Sequence, residues 1–212
     1  MALSEAKPVL VILAGGQSSR MGEPKGLLDF RGKPWILEQV SRFNLWSYAN
    51  VYIGLGYHAQ DYINEIPWFE TAVHNFCEYE SSQVRVLVNP NPVHGPFSTL
   101  QTVLSYRNEV GPALVLPIDV PLMNHRDLSL FVKEKNEVVL PEFRGKTGHP
   151  VLLSSAFCSS LVTLDPKLST SRLDTQINTL DPSKITKFQV KDEAIHLNLN
   201  LSRDWQQYKS MY

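Results

Sequence analysis

The run Val9–Leu13, Val-Leu-Val-Ile-Leu, constrains the fold more than any other stretch of the chain. It is apolar without a break, rich in β-branched residues, and bounded by Pro8 and by Gly15-Gly16. A strand with one wet face alternates apolar and polar residues; an unbroken run predicts a strand covered on both faces. Ala113–Ile118 (ALVLPI) repeats the pattern, and Val51–Leu55 and Val84–Val88 predict further strands. Helices are expected between them, from Pro34 to about Phe43 and over Phe97–Tyr106, then over Asp127–Glu134, Leu173–Leu180 and Arg203–Met211. Short strands are expected at Val138–Leu140 and Val151–Leu153, with a late strand pair near Lys187–Val190 and Ile195–Leu199. Strands alternating with helices predict an α/β chain, a three-layer α/β/α sandwich around a mostly parallel mixed sheet. With 212 residues, no linker and no internal repeat, the expected organisation is a single domain over residues 1–212.

In open α/β sheets the ligand lies outside the carboxyl ends of the strands. That rule selects the loops after Leu13, Val88 and Ile118. The first runs from Ala14 through Gly15-Gly16-Gln17-Ser18-Ser19-Arg20-Met21-Gly22 to Lys25. Glycines let a backbone approach a ligand and turn its N–H groups toward an anion. Arg20 and Lys25 add two cations, so the loop predicts a local anion site. It fits neither a Walker A loop nor a Rossmann GxGxxG. The second loop holds Pro117-Ile118-Asp119-Val120-Pro121. An acid at the end of a buried strand needs a cation or metal beside it, and Mg²⁺ prefers one or two carboxylates plus phosphate oxygens; a helix-capping aspartate is the alternative. The third, Asn89–Gln101, carries Gly95, Pro96 and Ser98 ahead of a helix. Two later segments add polar groups: Gly148-His149-Pro150-Val151, and His196–Ser202, where strand spacing would set Asn198 and Asn200 on one face.

The composition narrows the partners. Twenty basic and twenty-one acidic residues give a net charge of −1, which argues against a nucleic-acid coat or a polybasic membrane binder. No apolar run reaches the ~18–20 residues of a membrane span, and Lys7 followed by Val9–Ala14 reads as a first strand rather than a signal peptide. Cys77 and Cys158 are the two cysteines. They form no CxxC pair, which predicts reduced thiols in a cytoplasmic chain.

The string Leu13-Ala14-Gly15-Gly16-x-Ser18-x-Arg20-Met21-Gly22-x-x-Lys25 resembles the LAGGxSxRMGxxK signature of MobA/MocA-type nucleotidyltransferases, which serve molybdenum-cofactor synthesis. The resemblance extends from Val9 to Tyr208. It implies a Rossmann-like, GT-A-like nucleotide-diphospho-sugar transferase fold. It implies that Leu13, Ala14, Gly15, Gly16, Ser18, Lys25, Gly95, Ser98 and Asp119 bind the nucleotide, and that Arg20, Lys25 and Asp119 are catalytic. It also implies Mg²⁺ held by Asp119 and Asn200, with His149 and Asn198 on the acceptor side. Leu13–Gly16, Lys25–Leu28, Gly95-Pro96 and Asn198-Leu199-Asn200 look MobA-like, the guanylyl branch. Glu23-Pro24-Lys25, Ser98-Thr99-Leu100 and Gly148–Leu152 look MocA-like, the cytidylyl branch. Asn198 and Asn200 stand where the cytidylyl branch carries Asp-x-Asp, and Leu201-Ser202-Arg203 replaces the usual Thr-Pro-Glu.

The expected reaction moves a nucleoside monophosphate from GTP or CTP to a phosphorylated small-molecule acceptor such as molybdopterin, releasing pyrophosphate. The expected partners are those two substrates, without nucleic acid or membrane, for a monomer or small homo-oligomer. A sugar- or alcohol-phosphate nucleotidyltransferase, a non-catalytic nucleotide-binding homologue, and an oxidoreductase reading of Gly54-Leu55-Gly56-Tyr57-His58-Ala59 are the alternatives.

Overall fold

A computed structural model describes residues 7–18, 21–44, 50–107 and 111–211. In chain order the elements are β1 (Val9–Ala14), β2 (Asp29–Phe30), β3 (Lys33–Pro34), α1 (Trp35–Asn44), β4 (Asn50–Leu55), α2 (Ala59–Glu65), α3 (Trp68–Ala72), β5 (Cys77–Tyr79), β6 (Ser82–Val88), α4 (Pro96–Tyr106), β7 (Ala113–Pro117), α5 (His125–Phe131), β8 (Val138–Phe143), β9 (Lys146–Thr147), β10 (Val151–Leu153), α6 (Ser155–Val162), α7 (Leu173–Asn178), β11 (Ile185–Gln189) and α8 (Ser202–Met211), joined in places by short 3₁₀ turns. The main sheet has the order β11-β8-β10-β7-β1-β4-β6-β5, with β9 on β8. β7, β1, β4 and β6 are mutually parallel, whereas β10 runs against both β7 and β8.

The unbroken apolar runs do what their pattern predicts. Leu10 and Ile12 face a core shared with Trp35 and Val40 of α1, Tyr62 of α2, Phe69 of α3, Phe131 of α5 and Trp205 of α8. Val11 and Val115 face the other core, with Leu100 and Val103 of α4, Leu161 of α6 and Ile177 of α7. The sheet is therefore sandwiched between two helical layers.

β1 connects to β4 on one side, and the chain returns after β6 to place β7 on the other side. The carboxyl ends of β1 and β7 thus flank the switch point, and their register brings Leu13 opposite Pro117. This is the crevice that strand order makes available for a ligand.

Two readings change. Ile195–Leu199 is not a strand. Glu193–His196 forms a 3₁₀ turn because the Asp192 side chain caps Ala194 N–H, and Leu199 N–H donates to the Asp119 carbonyl (2.8 Å) rather than to a ladder. The late strand Ile185–Gln189 instead pairs in parallel with β8. α2, α3 and α6 are additional helices over segments with no predicted element; each has eight residues or fewer. Cys158 is buried and Cys77 half-buried, and both are free thiols; burial pushes the Cys158 thiol up to about 11. Among the described residues no helix is long and apolar enough to cross a membrane.

Candidate active site

The glycine loop leaves β1 at the switch point and is tied down on both sides. Ile118 N–H donates to the Leu13 carbonyl (3.0 Å), joining the ends of β1 and β7. Gly15 sits against Thr99, where a Cβ would fall 2.5 Å from the hydroxyl. Gly16 is different: a Cβ there would meet nothing within 4 Å. Ser18 has φ of 50° and folds the loop back. Its hydroxyl accepts from Lys25 N–H (3.2 Å) and its carbonyl from Met21 N–H (2.9 Å). Arg20 lies outside the described residues.

Lys25 opens a 3₁₀ turn whose next residue, Gly26, packs on the Tyr62 ring and donates its N–H to the Tyr62 hydroxyl (3.0 Å). Burial raises the Tyr62 phenol far above its ordinary range, so it stays a neutral acceptor. From this fixed base the Lys25 ammonium reaches the Asp119 carboxylate (3.3 Å) and the Asn200 carboxamide oxygen (2.5 Å). Asp119 itself stands on a turn held by α1. Trp35 Nε1 donates to the Ile118 carbonyl (2.8 Å). The fully buried Gln39 donates to the Val120 carbonyl (2.7 Å) and accepts from Leu122 N–H (3.0 Å). Gln39→Leu would leave a buried carbonyl and N–H unpaired, so we expect a stability loss of ~1–3 kcal/mol, read as a lower urea midpoint.

The cavity above these groups has a volume of about 800 Å³, within the range of small-molecule sites. Leu13, Ala14, Gly15, Gly16, Ser18, Lys25, Gly95, Asp119, His149 and Asn198 all line it. Ser98 is buried beneath the wall: its hydroxyl donates to the Gly95 carbonyl (2.7 Å) and accepts from the Asn89 carboxamide (2.7 Å). Its neighbour Thr99 is the residue that lines the cavity. Asn198 and Asn200 do not share a strand face, since no strand forms there. Asn200 reaches Lys25, while Asn198 is exposed at the cavity edge with its amide on the His196 carbonyl (3.2 Å).

His149 borders the cavity, and its Nδ1 is buried without a hydrogen-bond partner among the described residues. Burial holds the imidazole below its ordinary pKa, and the negative charge of Asp119 opposes that shift.

Several contributing residues are not among the site residues expected from the sequence. Buried Asn89 fastens the third loop by donating to Ser98 and Thr99 while accepting from Asn91 N–H. Pro166–Asp174 supplies another wall, including Lys167, Leu168 and Arg172. Arg172 makes two 3.1 Å bonds to Asp174. In sequence, nothing ahead of the helix expected from Leu173 marks that stretch.

The glycine loop, Lys25 and Asp119 meet at the switch point of an α/β sheet, the place where such folds bind ligands. The family model of the MobA-like NTP transferase domain matches residues 10–179. The chain belongs to that family and is a nucleotidyltransferase. A molybdenum cofactor guanylyltransferase of Campylobacter jejuni subsp. jejuni (serotype O:6, strain 81116 / NCTC 11828) is 26% identical over 204 residues, 94% of either chain. One from Xanthomonas euvesicatoria pv. vesicatoria (strain 85-10) is 29% identical over 114 residues, so that match spans 54% of this chain and about half (48%) of that relative. Among solved structures, Rv0371c from Mycobacterium tuberculosis H37Rv shares the fold, with a TM-score of 0.71 at 17% identity over 97% of this chain and 99% of that one. Its manganese complex has the same TM-score of 0.71 at 15% identity, over 98% and 100% of the two chains. HddC from Yersinia pseudotuberculosis complexed with GMP-PN has a TM-score of 0.68 at 14% identity, over 97% and 99%.

Proposed function

We propose that the protein transfers GMP from GTP to the terminal phosphate of a molybdopterin-type acceptor and releases pyrophosphate, with residues 1–212 working as one unit. The observation that carries this reading is the convergence of Asp119 and Asn200 on the Lys25 ammonium, where Lys25 and Asp119 line the cavity together with the glycine loop. The guanylyltransferase relative matched over 94% of the chain favours GTP over CTP.

The donor's phosphates lie along Ala14–Lys25 in this reading. The open space at Gly16 leaves room for a ligand against the backbone. The acceptor phosphate attacks the α-phosphorus in line, the bond to the bridging oxygen breaks, and pyrophosphate departs. The nucleophile is already an anion near neutral pH, so no protein base is needed. Lys25 and Arg20 offset charge on the transferred group and the leaving pyrophosphate, and the loop fixes the donor's orientation. His149 and Asn198 border the acceptor. Asp119 and Asn200 fit a hard divalent cation: they present a carboxylate and a carboxamide oxygen that already share one positive charge. A divalent metal, Mg²⁺ in this reading, is complexed in one structural relative as manganese; when bound it would stabilise charge on the phosphoryl oxygens.

The deciding assay is pyrophosphate release with each of the four nucleoside triphosphates, Mg²⁺, and either molybdopterin or sugar-phosphate acceptors. GTP with molybdopterin is expected to be fastest. CTP being fastest would move the chain to the cytidylyl branch, and release with a sugar phosphate alone would overturn the acceptor. Gly16→Ala is expected to leave the urea midpoint unchanged, because nothing packs there, while weakening GTP binding measured by titration.

A further inference from the structure

The turn Gly54-Leu55-Gly56-Tyr57-His58-Ala59 takes no part in the chemistry above, yet it packs directly behind the glycine loop. A Cβ on Gly56 would fall 2.5 Å from the Gly15 carbonyl oxygen and 2.9 Å from its Cα. Tyr57 N–H points at the same carbonyl (3.4 Å). His58 then reaches in two directions: its Nε2 lies 2.8 Å from the Gln17 carbonyl oxygen and its Nδ1 lies 2.8 Å from the Asp61 carboxylate.

Both partners of that ring accept hydrogen bonds and cannot donate them. A neutral imidazole carries one N–H, so one contact would set its lone pair against an acceptor; the imidazolium carries two and satisfies both. We propose that protonated His58 is a positioning residue, a latch that holds the loop Gly15–Ser18 in its nucleotide-binding shape, so that nucleotide affinity falls when His58 loses its proton. This rests on the reading that the loop binds the donor. A second tie from the same helix supports the assignment: Tyr62, one turn along α2, fastens the far end of the loop through Gly26.

The ring's surroundings set the sign. The Gln17 carbonyl is the largest influence raising the His58 pKa, followed by Asp61. Asp61, on the ring's own helix, is the ionisable group acting on it among the described residues; the glycine loop meets it with an uncharged carbonyl. A raised pKa keeps the latch closed below the ordinary histidine value and opens it as pH rises through the raised one.

The test follows two readouts from below to well above the ordinary histidine range: GTP affinity, and hydrogen-exchange protection of the Met21, Lys25 and Tyr57 amides, which donate to the loop, in the free protein, corrected for intrinsic exchange. In the wild type both are expected to fall together with rising pH, affinity by roughly 3–10-fold, the scale of one hydrogen bond. His58→Ala should show the high-pH level throughout. Asp61→Asn separates a latch from a merely structural histidine. Its carboxamide can donate to the neutral ring while Nε2–H still serves Gln17, so the wild-type low-pH level should persist and the pH step should vanish. The same pH step in Asp61→Asn, or unchanged protection and affinity in His58→Ala, would overturn the latch. Loop protection that behaves as expected in a protein binding no GTP at any pH would support the latch and sink the functional reading alone.

Discussion

Lys25→Ala and Asp119→Ala are each expected to lower turnover by roughly 10²–10³-fold, the scale of removing one fixed electrostatic stabiliser. The two side chains are only 15% and 24% exposed, and they meet at 3.3 Å. Their charges act in a site partly cut off from water, where a fixed ion contributes more than on the surface. Asn200 joins them through its bond to Lys25, so the three should behave as a unit. The double variant Lys25→Ala/Asp119→Ala should therefore lose little more than either single one. Steady-state pyrophosphate release checks the rates, and urea unfolding checks that the fold survives. Full activity in both purified single variants would remove the catalytic assignment.

Gly148→Ala should be the most damaging of the small substitutions outside the glycine loop. The added Cβ would fall 2.2 Å from the Ile195 carbonyl oxygen and 2.8 Å from its carbon. The obstacle is backbone, so no side-chain rotation relieves it. The two segments are also bonded at this point, through His149 N–H to the Ile195 carbonyl (3.1 Å). They must separate, at a cost of ~1–3 kcal/mol by the usual scale of overpacking. The displaced segment leads into Leu199, bonded to the Asp119 carbonyl, and Asn200, bonded to Lys25. A lower urea midpoint should therefore come with lower turnover, although the substitution touches no reacting group. An unchanged midpoint would mean that the 193–200 segment yields freely and that its contacts do not position Asp119.

Much of the framework was readable because its signals are local. Val9–Leu13 and Ala113–Ile118 carry no polar residue that a wet sheet face would need, so burial on both faces followed from the run itself. Ile195–Leu199 misleads for the same reason. Its alternation has strand period, but period cannot say where a backbone N–H finds its acceptor, and Leu199 finds Asp119. α2, α3 and α6 are too short for a decisive helical stripe, and they form because a sheet face is there to cover. Gln39 and Asn89 look like ordinary polar residues until burial leaves their carboxamides fastening the site loops.

Local residue pattern was enough to specify the mostly parallel α/β framework, the glycine loop and the acid at the end of the second buried run. The tertiary structure decided which of these groups meet. Lys25 lies 94 positions from Asp119 and 175 from Asn200; the strand order, with β7 returning beside β1, closes the first gap, and the Leu199 N–H bond to the Asp119 carbonyl closes the second. The tertiary structure likewise turned Gly54–Ala59 from an apparent dinucleotide motif into the wall behind the glycine loop. The physical reason is that residue pattern encodes the period and burial of each element, whereas proximity between distant side chains comes from how the elements pack.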